Sequence, residues 1–363
     1  MLRWHVRAAP SPLLALRWSA RYEHLPHPAR NSLRLRHFHR AVGMVGQRPR
    51  GSLGPYSLLV RESELLTHIY ARSAELSRRF PFIVAGPGHD CAAIRVGDRS
   101  VLLKVDQLVE GRHFVPGTPI DLIARKAMAR PLSDIAASAG TPLCALAGAM
   151  LPEGYAHADE LFDALSRWAL HWNCPLVGGD IASGAAGGGL SLSISVVGMP
   201  HLTRGPVLRS GAQVGDGVYV TGALGGSLAA DGGGKHLTFE PRFREARFLA
   251  DTLGPRLHAM MDISDGLGVD AGRLARTSSV AIEIDEAALP MTVGISDWRR
   301  AVGDGEDYEL LFAAAGDVPN VCRESEVSIT RVGRINSGGS SVALVLRSGT
   351  TVDISRSGWD PAA

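Results

Sequence analysis

Apolar positions recur along this chain with two periods, and the two periods alternate from one segment to the next. Strict alternation marks "SVLLKVDQLV" (residues 100–109) as a strand, and helical spacing marks "LLVRESELLTHIYARSAE" (58–75) and "DELFDALSRWALHW" (159–172) as helices. Between them, "TPIDLIARKAMARPLSDIAASAGTP" (118–142) opens with a Thr-Pro helix start, and its pattern predicts a break at Pro131 followed by a second short helix of small residues. "CPLVGGD" (174–180) and "LSLSISVVGMP" (190–200) read as strands separated by the glycine-rich "ASGAAGGG". The strands at 100–109 and 190–200 are long and apolar, a hazard if they lie at free sheet edges. Turn signals crowd residues 199–215. After them come a strand "GVYVTG" (217–222), a helix in "EPRFREARFLADTL" (240–253) and a strand–turn–helix in "AMMDISDGLGVDAGRLART" (259–277). Strands follow in "VAIEIDEAALP", "YELLFAAA", "ITRVGRI" and "SVALVLR". The reading is a mixed α/β protein with an N-terminal extension over 1–54, one domain over 55–200 and another over 206–363.

Composition changes this picture only at the N-terminus. Hydrophobic residues at 45% and charged residues at 20% are ordinary globular values, and no apolar run has the length of a membrane span. The net charge of +2 conceals an uneven distribution, because residues 1–50 hold ten arginines against one acid, Glu23. The remainder is therefore net acidic. The basic segment, with Pro10, Pro12, Pro26 and Pro28, reads as an unstructured or over-extended start, Met44 being a plausible later one; a targeting segment is the second reading. Neither nucleic acid nor membrane is expected as a partner of the folded part. Cys91, Cys144, Cys174 and Cys322 are widely spaced with no zinc-type pairing, which predicts reduced thiols and a cytoplasmic protein.

The candidate chemistry is acidic. Asp90 follows a glycine turn in "AGPGHDCAAI", Asp106 ends an alternating run, Asp134 sits in "PLSDIAAS", Asp180 ends "VGGD", and Asp262 and Asp265 bracket "DISD". Taken singly these are ordinary turn and cap positions: Ser133 or Asp134, and Ser264 or Asp265, can each cap a helix. Taken together with Glu306 in "GDGEDYELLF", they are acids at element ends. If they converge, they repel one another unless cations lie among them, and oxygen-only donors favour a hard ion such as Mg²⁺. No P-loop is present, so phosphates would be held through metal ions, as a metal–nucleotide substrate allows.

The ordered set "GPGHDCAAI", "VDQLVEGRHF", "PLSDIAASAGTP", "PLVGGD", "RSGAQVGDGVYVTG", "MDISDGLGVD" and "GDGEDYELLF" resembles the thiamine-monophosphate kinase family of the aminoimidazole-ribotide-synthetase-like superfamily, across about residues 55–360. The resemblance implies two α/β domains, the first pairing its sheet with that of a second copy in a homodimer, and an active site between the domains. It implies transfer of the γ-phosphoryl of ATP to thiamine phosphate with several Mg²⁺ ions. By the same resemblance Asp90, Asp106, Asp134, Asp180, Asp262 and Asp265 are metal ligands, with Asp134, Asp262 and Asp265 closest to the chemistry. Gly179, Asp180, Arg209 and Ser264 match nucleotide-contacting positions, and His113, Glu306 and Trp359 match substrate-side positions, where a carboxylate and an indole suit a cationic thiazolium. The chain departs from the family pattern at His89 (usually Asp), Lys104-Val105 (usually Ser/Thr), Pro131 (usually Asn) and Ile181 (usually Thr). Another ATP-using member of the superfamily, and a nucleotide or thiamine-diphosphate binder without turnover, are the alternative readings. On a strand, Lys104 and Asp106 share one face, so Lys104 is expected either to reach the acids as a charge replacement, with His89, or to point to solvent.

Overall fold

Two sheets carry the fold, and they differ in how they are covered. The computed structural model describes residues 68–70 and 73–359; the basic segment 1–54 and most of the helix expected over 58–75 lie outside the described residues. The first sheet has six strands, β1 (Ile83–Ala85), β2 (Ala92–Val96), β3 (Arg99–Val109), β4 (Gly140–Leu151), β5 (Leu176–Ser183) and β6 (Ser191–Pro200), in the order β1-β2-β3-β6-β4-β5. Helices α2 (Ile120–Ala137) and α3 (Ala158–His171) cover one face, burying Leu102, Leu108, Met128, Leu132, Leu161, Leu165, Leu192 and Ile194. Each such side chain removed from water contributes about 1.5–3 kcal/mol. The short helix α1 (Ser73–Arg79) precedes β1. Burial alternates along β6, as expected of a sheet with one open face.

The second sheet has seven strands: β7 (Gly217–Thr221), β8 (Leu257–Asp262), β9 (Ala281–Asp285), β10 (Leu310–Ala314), β11 (Ile329–Asn336), β12 (Val342–Val345) and β13 (Thr351–Asp353). Their order is β13-β12-β9-β11-β7-β10-β8. Helix α4 (Phe243–Leu253) packs with Met260, Phe312 and Leu310, whereas α5 (Leu267–Ser278) and α6 (Trp298–Gly303) pack with the core of Val220, Met261 and Leu311. Every residue of β7 and β10 is buried, which is why these strands read as unbroken apolar runs.

Three expectations are corrected. Residues 120–137 form one continuous helix with Pro131 inside it. A proline there costs about 3 kcal/mol, which burial of nearly every residue from Ile123 onward outweighs. Ser133 and Asp134 are therefore interior helix residues, not caps. The strands at 99–109 and 191–200 are hydrogen-bonded to each other and flanked by β2 and β4, so neither is a free edge; the edges are β1 and β5. Strand β4 was not anticipated. Among the described residues no helix is long and apolar enough to cross a membrane.

Strand β5 runs parallel to β4 with Ala147 opposite Gly179, and a Cβ on Gly179 would lie 1.9 Å from the Ala147 carbonyl oxygen. Backbone cannot yield as a side chain can. Gly179→Ala should therefore destabilise the protein by about 1–3 kcal/mol, read as a lower melting temperature; an unchanged value would show that the strand can shift without cost.

Candidate active site

The site is built where the covered face of the first sheet meets the end of the second. Strand β3 directs Lys104 and Asp106 to the face on which α2 lies, and the last turns of α2 present Ser133 and Asp134 to them. Lys104 Nζ lies 2.7 Å from Asp134 Oδ1 and 3.2 Å from Asp106 Oδ1. The end of β8 brings Asp262, whose Oδ2 accepts a 2.7 Å hydrogen bond from Ser133 Oγ. Asp90, after β1, completes the group: one carboxylate oxygen each from Asp90, Asp134 and Asp262 lie within 4.8 Å of one another, and all three residues are buried. Arg209 donates to Asp90 Oδ1 from Nε and Nη2 at 2.9 and 2.7 Å.

Burial pushes the carboxyls of Asp134 and Asp262 up, the latter to about 7 with Asp90 adding to the effect. Lys104 acts the other way on Asp134; burial disfavours its own charge, but Asp106 and Asp134 outweigh that and hold it as an ammonium. Burial also lowers His89, against the pull of Asp90, so its imidazole is neutral at pH 7. Asp90 Oδ2 is buried and has no hydrogen-bond partner among the described residues. Three converging carboxylates, one with an unused buried oxygen, fit a hard divalent cation such as Mg²⁺.

A cavity of about 600 Å³ joins this cluster to a second group of residues that includes His113, Arg130, Glu306, Tyr308 and Trp359. Glu306 and Tyr308 adopt φ of 52° and 53°, held by Glu306 N donating to Ser264 O at 2.7 Å and Tyr308 N donating to Ile263 O at 2.8 Å. The Glu306 carboxylate meets Lys126 Nζ at 2.8 Å, His236 Nδ1 at 3.0 Å and Arg130 Nη1 at 3.4 Å. Despite burial, the hydrogen bond with His236 and the charges of Lys126 and Arg130 hold it down at about 2. Trp359 N donates to Asp265 O at 2.8 Å, which fixes the partly exposed indole at the cavity wall.

The AIR synthase related protein families match on both sides, the N-terminal domain at residues 88–199 and the C-terminal domain at 213–345. A thiamine-monophosphate kinase of Rhodopirellula baltica is 34% identical over 76% of this chain and 89% of its own length, and that of Escherichia coli K12 is 30% identical over 85% and 98%. The solved structure of AaThiL complexed with AMPPCP and TMP superposes with a TM-score of 0.68 at 27% identity, covering 85% of this chain and all of the other. The chain belongs to the thiamine-monophosphate kinase family.

In this family member the structure does not gather every acid that the motifs suggested. Asp106, Asp134, Asp262 and Asp265 line the cavity and Asp90 is buried beside Asp134 and Asp262, but Asp180 does not line it. Register explains why: Asp180 belongs to the cross-strand row of Gly148, Ser193 and Gln107, whereas Asp106 belongs to the adjacent row with Ile194, Ala147 and Gly179. Adjacent rows project from opposite faces. Asp265 is paired with Arg273 at 2.5 Å, and neither it nor Ser264 caps α5; the amides of Ser264 and Asp265 instead donate to Asp270 Oδ2, each at 2.9 Å. Arg209 is held on Asp90, and the Glu306 carboxylate is already compensated. His113 lines the cavity with Nδ1 accepting from Val109 N at 2.9 Å. Sequence reasoning missed Lys126, Arg130, His236 and Arg273. Of these only Arg130 and Lys126, placed in mid-helix beside apolar residues, offered any signal.

Lys126 is fully buried, so removing its charge leaves Glu306 short of its closest cation. Lys126→Met should cost about 3–5 kcal/mol, and adding Glu306→Gln should restore much of it in a double-mutant denaturation cycle. Additive costs would show that the pair is not coupled.

Proposed function

We propose that this chain transfers the γ-phosphoryl group of ATP to thiamine phosphate, forming thiamine diphosphate and ADP. The observation that carries the reading is one cavity in which the Asp90–Asp134–Asp262 cluster and the indole of Trp359 are brought together, in a chain whose relatives are thiamine-monophosphate kinases. Asp90, Asp134 and Asp262 would hold Mg²⁺, which when bound neutralises charge on the phosphate oxygens during transfer. Asp106 and Asp265 stand at the margin of that group, each on a basic partner.

The acceptor is a phosphate oxygen already ionised at neutral pH, so no side chain has to remove a proton. This agrees with His113, which burial and Arg130 lower to about 4; it is neutral, and its Nδ1 orients the loop rather than accepting a proton from substrate. What remains for the chain is positioning. Arg130 lies between Asp106 and Glu306 and adds positive charge to the wall that faces an anionic substrate. The Trp359 indole suits the cationic thiazolium. The free thiols and the use of ATP support a cytoplasmic reading, and we take residues 55–200 and 206–363 as the two domains between which the cleft lies.

The test is ADP formation with thiamine phosphate as sole acceptor. Asp262→Asn should lower kcat by at least the 10²–10³ typical of a lost electrostatic contact, roughly, with the circular dichroism spectrum retained. Near-normal turnover in that variant would remove Asp262 from the reaction.

We also infer a homodimer through the open face of the first sheet. Leu103, Val105, Leu146 and Met150 are exposed there, and cross-strand register places them on one side, with Val105 and Leu146 both opposite Ser195. Such a patch is rare on a monomer. Light scattering should report a dimer for the wild type and a monomer for Val105→Asp/Leu146→Asp; a monomeric wild type at micromolar concentration contradicts the inference.

A further inference from the structure

Lys104 occupies the position of a cation. Its ammonium bridges Asp106 and Asp134 at 3.2 and 2.7 Å, one oxygen from each carboxylate, which is the arrangement a bridging divalent ion would require at about 2.0–2.1 Å per oxygen. The two cannot share that space. Lys104 is held there by construction: β3 fixes its backbone between Leu103 and Val105 of the open face, so the alternating pleat sends it inward, and its Nζ is within ion-pair distance of two carboxylates. A second and independent feature lies on the far side of Asp134. There Asp90 Oδ2 is buried without a hydrogen-bond partner among the described residues, while the other oxygen of Asp90 is taken up by Arg209. The acids are thus divided into a pair, Asp106 and Asp134, bridged by the chain's own ammonium, and a group, Asp90, Asp134 and Asp262, whose oxygens could hold an ion.

We propose that Lys104 is a tethered cation that replaces one divalent ion of the nucleotide site, so that the wild-type chain binds fewer ions with its nucleotide than its carboxylates would otherwise hold. The proposal rests on the reading of the cleft as a metal–nucleotide site. An ammonium at this place has two consequences. It keeps Asp106 and Asp134 neutralised in the absence of any metal, and it offers only hydrogen-bond donors, never the open coordination positions through which an ion can reach a phosphate oxygen. The ion at Asp90–Asp134–Asp262 then has to act without a neighbour bridging to Asp106.

The experiment counts ions rather than turnover. Mn²⁺ is titrated into the full chain with saturating AMPPCP, with bound and free Mn²⁺ separated by electron paramagnetic resonance, for the wild type, Lys104→Ser and Lys104→Met. The serine opens the position; the methionine keeps most of the stem volume while removing the charge, and guards against a folding defect in the smaller variant. Lys104→Ser should bind one more Mn²⁺ per chain than the wild type, and Lys104→Met should keep the wild-type number, because its stem fills the position, but bind Mn²⁺ more tightly at the remaining site because Asp106 and Asp134 have lost their ammonium. Equal Mn²⁺ number and affinity in wild type and both variants overturns the tethered-cation role while leaving the nucleotide reading intact. A wild type that binds neither Mn²⁺ nor AMPPCP overturns both.

Discussion

The structure depends on the cost of bringing carboxylates out of water. Asp90, Asp134 and Asp262 arrive from three elements and are buried at one point, where each lost hydration shell costs several kcal/mol unless opposite charge replaces it. The compensating cations come from elsewhere in the chain: Lys104 from β3 meets Asp134, and Arg209 from the segment before β7 meets Asp90. Two of the contacts run from one half of the chain to the other. Arg209–Asp90 and Ser133–Asp262 tie residues of the second half to residues of the first, and Lys126 and Arg130 reach Glu306 in the same way. Buried ion pairs of this kind add little net stability but are expensive to break, so they fix how the two sheets meet. The geometry of the cleft and the joining of the halves are one arrangement.

How much of this was legible follows from which signals are local. Strands β7 and β10 announce themselves because both faces are covered and nearly every residue is apolar. The "DISDG" turn was visible as well, since an acid at a strand end followed by a small-residue turn and a helix needs no distant partner. Strand β4 was hidden by its composition: Gly140, Pro142, Gly148 and several alanines read as a connection, and only pairing with β6 and β5 makes it a strand. Pro131 misled for a related reason, because the burial that holds α2 together is tertiary.

The site was less legible than the fold. Asp180 looked equivalent to the other acids, since each ends an element beside a small residue; only the β4–β5 register shows that it faces the other side of the sheet. Lys126 carries only a faint mark, a lysine in mid-helix beside apolar residues; it is fully buried and pairs with Glu306, 180 positions later in the chain. Asp270 went unnoticed as a mid-helix acid, although its carboxylate receives the two amides that shape the "DISDG" turn. The roles of Asp180 and Lys126 are set by a parity of pairing and by a contact distant in sequence, and that of Asp270 by a turn folding back on its own helix.

Strand β3 shows how closely these constraints are bound together. A half-covered sheet normally places apolar residues inward and polar ones outward. At residues 103–106 this strand does the reverse: Leu103 and Val105 are exposed, while Lys104 and Asp106 turn toward α2. Neither half of the inversion is stable alone, since apolar side chains left in water and charges taken out of it are both unfavourable. The inward charges are reconciled by Asp134 and Arg130. Among the described residues the outward side chains have no such partner, and only cover by another surface removes them from water. A one-residue slip of β3 would exchange both sets at once, burying Leu103 and Val105 but stripping Asp134 of its cation. The charged pair on the inner face therefore specifies the register of β3, and the exposed apolar face is its structural consequence.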